Sequence, residues 1–288
     1  MSSLLATSSL TNALLTAGAL GIACAVLSVV VVLRRWAFIG EGISHAGFGG
    51  IGTGWLLSLV IPLFGNQAVV YLVAVLFCIA TALAIGYISR DDLATDRVTG
   101  DAAIGIFLVT SLAWGFLALT IYLQHHPTGG AENWDAYLFG QINLVSREMM
   151  IAGLCLSAAV VLVVGMLWKE IIAYAFDPAI ARVSGVRVGV IHYLLMVLLA
   201  MLIVIGMKLA GNVLVTALLV LPGATALLVS RRLPVVVGIS VGVGLSGAVG
   251  GLVITSAYLK SVPSGPAMVM VMVLEFVVAY VVSRLRRG

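Results

Sequence analysis

The stretch NALLTAGALGIACAVLSVVVVLRR, residues 12–35, decides the class of this protein: twenty-two residues carry no charge, and two arginines end the run. A hydrocarbon core of roughly 30 Å is crossed by about 20 apolar residues in helical form. No charged side chain precedes Arg34. A secretory leader has a basic start ahead of its apolar core, so this first segment is expected to be retained as a transmembrane helix.

The same ruler applied outward predicts nine spans, near 12–33, 37–62, 67–88, 101–123, 148–168, 189–208, 211–230, 235–259 and 266–283. Eight is the neighbouring count, because several connections are tight. Composition agrees: of 288 residues 62% are hydrophobic and 9% charged, and mean hydropathy is +1.22. A water-facing domain carries about 25% charged residues, so lipid is the solvent for most of this chain. The expected fold is an all-α polytopic bundle forming a single transmembrane domain over residues 1–288.

Basic residues set the expected orientation, because Lys and Arg collect on the cytoplasmic side. With the N-terminus outside and the C-terminus inside, the cytoplasmic segments hold Arg34, Arg35, Arg90, Arg97, Lys169, Arg182, Arg187, Arg231, Arg232, Arg284, Arg286 and Arg287. Those are twelve of the fifteen; Arg147, Lys208 and Lys260 remain. The net charge of +4 therefore has a use that needs no nucleic acid. Cys24, Cys78 and Cys155 lie far apart in apolar runs without a CxxC spacing, and read as packing residues.

Four places depart from plain lipid-facing helix. In RRWAFIGEGISHAGFGGIGTG, residues 34–54, Glu41 and His45 stand four apart and share one helix face. A carboxylate with an imidazole is half of a site for Zn, Mn or Fe. The glycines and alanines around the pair allow close helix approach. An ion-free Glu–His pair buried in the bundle accounts for the same residues equally well.

The second place is KEIIAYAFDPAIARVSGVRVG, residues 169–189, too polar and short to cross. Asp177 is expected to cap a short helix with Pro178 at its first position, and Gly185 to end it. By local chemistry alone this is a capped surface helix. The third is the loop over 124–148, where His125, His126, Glu132 and Asp135 offer an outer docking face, with Trp134 and Tyr137 as interfacial anchors. The fourth is a set of isolated polar residues. Asp101 and His192 are expected near the water at span ends, Lys208 to snorkel, and Glu275 to be paired or protonated at mid-span, or to line the path.

No GxxxxGK[ST] phosphate loop occurs, and no lysine follows a glycine, so the chain is not itself an ATPase. HExxH is absent too, so the chain shows no zinc-protease motif.

Five stretches, in order, resemble the permeases of ABC importers for zinc, manganese and iron. Arg34-Arg35 through Gly50 is similar to the family's Arg-Arg…Gly-Asp-Ala-x-Ser-His-Ala, and Gly100–Ile106 to its Glu-Asp-x-Ala-Ile-Gly-Ile. Phe176-Asp177-Pro178 with Ala181 and Gly185-Val186 resembles its coupling segment. GNVLVTALLVLPGATA, residues 211–226, and Pro263–Pro266 complete the series. The likeness runs from about residue 33 to 271. It implies metal contact by Glu41 and His45 in a translocation path, with Glu41 where the family has Asp. It also implies an ATPase docking on Glu170, Phe176, Asp177, Pro178, Arg182 and Gly185.

The partners so implied are a dimer of cytoplasmic ATPases, an extracytoplasmic metal-binding protein and a second permease chain. The divalent ion is cargo, and no permanently bound cofactor is expected. The location is a bacterial-type cytoplasmic membrane. The rival readings are a permease for a metal chelate or siderophore, and a secondary metal-ion transporter. A bulky chelate would need a wide path and no ionic pair; a secondary transporter would need no coupling segment.

Overall fold

The computed structural model describes residues 2–61, 64, 66–89, 100–125, 146–257 and 264–285, with side chains from Leu10 onward. Every regular element among them is helical: α1 (Ser2–Leu33), α2 (Ile39–Ser58), α3 (Gln67–Ile88), α4 (Gly100–His125), α5 (Arg147–Met166), α6 (Trp168–Phe176), α7 (Pro178–Val183), α8 (Val188–Ala210), α9 (Asn212–Leu218), α10 (Leu221–Val229), α11 (Leu233–Ala257) and α12 (Ser264–Leu285). Among the described residues, eight segments are long and apolar enough to cross a membrane, the pair α9–α10 counting as one. The expected span at 37–62 is the exception. There α2 has twenty residues, about 30 Å of helix, but its glycines, Glu41 and His45 keep it out of that group.

Two compact sets of residues emerge. One comprises 1–37, 135–187 and 205–288; the other comprises 38–134 and 188–204. In the first, α1 packs against α5, α6, α10 and α11, and α12 lies on α10 and α11. Helices α1 and α11 touch backbone to backbone: a Cβ on Gly21 would stand 2.8 Å from the Gly244 carbonyl oxygen, and one on Gly244 would stand 2.7 Å from that of Gly21. The Ser240 hydroxyl donates to the Ala25 carbonyl at 2.7 Å across this seam. Small residues at a close crossing and a polar stitch are how helices associate where no water drives them together.

In the second set α2 is sandwiched by α3 and α4. A Cβ on Gly50 would fall 2.6 Å from Ala74 Cα, and one on Gly52 would fall 2.9 Å from the Gly115 carbonyl oxygen. The far end of α2 is fixed by Trp114, whose indole N–H donates to Thr53 Oγ1 at 2.8 Å, and by Trp55 stacked on Tyr122 at 5.7 Å. The glycines thus serve packing on two sides, leaving Glu41 and His45 on another stripe.

Three expectations need correction. The predicted span 211–230 is two helices, because Pro222 lacks an N–H and its ring clashes with a preceding turn; the chain turns at Leu219 and Val220. An additional helix, α6, precedes the capped segment, where only one short helix was expected. His192 is not at the water: it is 4% exposed, and its Nε2 lies 2.8 Å from the Gly86 carbonyl oxygen. The short α3–α8 approach at Gly86 covers the ring. Of the cysteines, Cys24 and Cys78 are buried, whereas Cys155 is exposed on α5.

Candidate functional site

Helix α2 begins at Ile39, after Phe38, so Glu41 lies in its first turn and His45 one turn further. His45 Nε2 stands 3.8 Å from Glu41 Oε2, with the imidazole 18% and the carboxylate 40% exposed. That separation is too long for a hydrogen bond. It suits two donors on one ion: ligands each at roughly 2.0–2.2 Å stand at most about 4.4 Å apart. The Ser44 hydroxyl donates to the Glu41 carbonyl at 2.9 Å and lies 3.4 Å from Oε2. On the same stripe, the Phe48 ring sits 5.7 Å from the imidazole. His45 Nδ1 is buried without a hydrogen-bond partner.

A buried imidazole nitrogen left unpaired costs free energy that a structural pair would avoid. An imidazole meant only for packing would be expected to bond a carbonyl, as His192 does with Gly86. Among the described residues no three of His, Cys, Asp and Glu gather into a metal cage. The arrangement therefore offers two donors per chain, which suits an ion that must leave again.

The segment after α5 is built as its residues dictate. Asp177 Oδ1 accepts from the Ala179 and Ile180 amides at 2.8 and 3.1 Å, and Pro178 opens α7. Gly185 closes it at φ 86°, with Gly185 N–H donating to the Arg182 carbonyl at 3.2 Å and Val186 N–H to that of Ala181 at 3.0 Å. Those two bonds define a Schellman stop. Ala181 is fully buried, while Phe176, Ile180 and Val183 are 62%, 65% and 92% exposed. Arg182 is exposed beside them, and Glu170 is half-buried in the first turn of α6. The end of α6 and the short helix α7 thus present an exposed apolar ridge with an arginine beside it.

The other candidates stand apart from these two. Asp101 is exposed in the first turn of α4, where a carboxylate complements the helix dipole. One oxygen of Glu275, Oε2, is buried without a partner, and the carboxyl reaches Ser246 on α11. His125 Nδ1 lies 2.9 Å from the Ile121 carbonyl oxygen. His126, Glu132 and Asp135 lie outside the described residues, as do Trp134, Tyr137, Arg90, Arg97 and Lys260. A cavity of about 200 Å³ between the ends of α10 and α12 is lined by Leu227, Val229, Arg231 and Val282 among others, and holds none of the candidates.

The sequence analysis gave Arg34 no role beyond its charge. In the structure its guanidinium carbon stands 5.3 Å from the Trp36 ring centroid and 4.6 Å from that of Tyr174 on α6. The adjacency Arg-Arg-Trp just after a span was the available signal, but the third partner is 138 residues away along the chain and left none.

Known proteins are similar to this chain over nearly its whole length. Over 280 residues, 97% of this chain and 89% of the relative, 34% are identical to the manganese transport system membrane protein MntC of Halalkalibacterium halodurans. The "Probable iron transport system membrane protein" of Haemophilus influenzae is 31% identical over 96% of this chain and 94% of its own. Among solved structures, PsaBC from Streptococcus pneumoniae in complex with Fab superimposes with a TM-score of 0.76 at 28% identity, covering 94% of this chain and 90% of that one. Eight apolar spans, a glycine-packed helix bearing a carboxylate and an imidazole, and a family match running over residues 6–283 converge: this multi-pass membrane protein belongs to the ABC 3 transport family.

Proposed function

We propose that this chain is the permease subunit of an ATP-driven importer that moves divalent metal ions across the bacterial cytoplasmic membrane by alternating access. The observation that carries the reading is the Glu41–His45 pair, 3.8 Å apart on α2, in a chain of this transport family. Carboxylate oxygen with imidazole nitrogen suits manganese, iron and zinc. Relatives named for manganese and iron support testing manganese first. Glu41 and His45 would replace part of the ion's hydration shell, with a second permease chain supplying the same pair.

The ridge of Phe176, Ile180 and Val183 with Arg182 would receive one subunit of a separate ATPase dimer, where ATP is hydrolysed. An extracytoplasmic metal-binding protein would deliver the ion, docking on a face that includes His125. The distribution of arginines supports an N-terminus outside and a C-terminus inside. The ionic pair also weighs against a bulky chelate as cargo, which would not call for two bare metal donors.

The test is accumulation of radioactive manganese, iron and zinc by cells carrying the full transporter with Glu41→Ala or His45→Ala, membrane levels checked. Loss of uptake of one ion in both variants, with assembly intact, supports the reading and names the cargo. Uptake at the wild-type rate in both would remove the pair from the path.

A further inference from the structure

We propose that Arg34 is a positioning residue for transport: its guanidinium, resting against both Trp36 and Tyr174, joins the ATPase-docking segment to the turn from which α2 departs. The inference rests on reading α6–α7 as that docking segment.

The geometry at the end of α1 is specific. Arg35 N–H donates to the Val32 carbonyl at 3.1 Å and Trp36 N–H to that of Val31 at 2.8 Å. This is a Schellman stop with Arg35 at φ 58°, a left-handed position that glycine normally fills. A residue with a Cβ is strained there and persists only where surrounding contacts over-determine it. The contacts that do so are on the page. Trp36 is 9% and Tyr174 2% exposed, their ring centroids are 6.2 Å apart, and the Arg34 guanidinium lies within 5.3 Å of both. A cation within about 6 Å of an aromatic face is attracted by its quadrupole, more strongly when desolvated.

Burial pushes the Tyr174 phenol up to about 12, with the Arg34 charge pulling the other way. The phenol is therefore neutral at physiological pH, and its contact with Arg34 is not an ion pair. Arg34 Nε is buried with no hydrogen-bond partner, while the side chain meets Tyr174 both over its ring and through a hydrogen bond with its hydroxyl.

Placement along the chain gives the contact its meaning. Tyr174 precedes the α7 cap, Asp177, by three residues; Trp36 precedes Glu41 by five. Only Ala37 and Phe38, both exposed, separate the aromatic clamp from α2. A displacement of α6–α7 imposed by an ATPase reaches the root of α2 through Tyr174, Arg34 and Trp36. Guanidinium planarity matters here, because lysine keeps the charge but cannot lay a flat group against the rings.

The experiment uses the complete transporter, with ATPase and binding protein, in proteoliposomes, and reads subunit assembly, ATP hydrolysis and metal uptake together. Arg34→Lys and Tyr174→Leu are expected to assemble and hydrolyse ATP at the basal rate while uptake per ATP falls at least about tenfold. Tyr174→Phe, which keeps the ring and loses only the hydroxyl's bond to Arg34, is expected to couple far better than Tyr174→Leu. Wild-type coupling in Arg34→Lys or in Tyr174→Leu overturns the proposal. So does loss of assembly in both, since the clamp would then be a folding contact. Ile180→Asp separates the two levels: if it leaves ATPase binding intact, the docking reading itself is wrong. If it blocks binding while the Arg34 variants couple normally, only the present inference fails.

Discussion

The hydroxyl of Ser28 on α1 accepts a hydrogen bond from the Gly223 amide at 2.8 Å and stands 3.3 Å from the Val220 carbonyl oxygen, to which it donates. The two backbone groups belong to the break between α9 and α10, where Pro222 interrupts the ladder. Inside a membrane no water is at hand to satisfy them. Ser28 does so from 195 residues away. Its replacement by alanine is expected to lower stability by about 1–3 kcal/mol, the cost of stranding a buried polar group. A reduced thermal midpoint of the purified protein in detergent would register it.

Glycines on the two faces of α2 are expected to respond unlike those facing open space. A Cβ at Gly50 meets Ala74 Cα at 2.6 Å, which is backbone and cannot turn aside, whereas one at Gly165 on α5 meets nothing within 4 Å. Gly50→Ala should lower the yield of monodisperse protein in size-exclusion chromatography. Gly165→Ala should leave it unchanged or raise it, since alanine favours a helix interior by up to about 1 kcal/mol.

Shape and charge at the candidate ion site can be separated. Glu41→Asp keeps the carboxylate and is expected to retain uptake with an altered KM. Glu41→Gln and His45→Gln remove donor strength at similar volume and should lower initial uptake about tenfold or more, the scale on which a perturbed metal environment acts. Equal rates for Glu41→Gln and wild type in a manganese uptake assay would count against a role for the charge.

The short helix α7 offers a contrast between neighbours. Val183→Asp, at a position 92% exposed, should abolish ATPase pull-down without shifting the thermal midpoint. Gly185→Ala acts on the fold instead, because φ 86° disfavours a Cβ by about 1 kcal/mol. It should lower the midpoint and weaken ATPase binding only in proportion.

What could be read ahead was what depends on neighbours in sequence. The apolar run at 67–88 has the same limits as α3. Asp177, Pro178 and Gly185 take the cap, first-turn and stop positions that their chemistry dictates, and Glu41 and His45 meet because four residues make a turn. Contacts closed over long chain distances were not legible. The hydropathy of 211–230 is continuous, and only Pro222 marks the break. A buried His192 differs from an exposed one only by the carbonyl of Gly86, 106 residues earlier. Arg34 counts as one positive charge in any window, whatever rings enclose it.

The polarity of α2 has a consequence for how the chain is made. A segment passing from the translocon into lipid does so by its own apolarity, and charged or polar residues near its centre oppose the transfer by up to about 3 kcal/mol each. Helix α2 is the long helix that falls short of the apolarity reached by its neighbours α3 and α4, and those two enclose its glycine faces. Alone it has little reason to leave the translocon; once α3 and α4 have emerged, it has surfaces to fit. A ribosome-stalled chain whose last native residue is Ile61, followed by a polar linker long enough to span the exit tunnel, is therefore expected to leave α2 accessible to a water-borne thiol probe at an introduced Thr53→Cys, and one whose last native residue is His125, on the same linker, to shield it. The second helix synthesised would then be the fourth to settle in the bilayer.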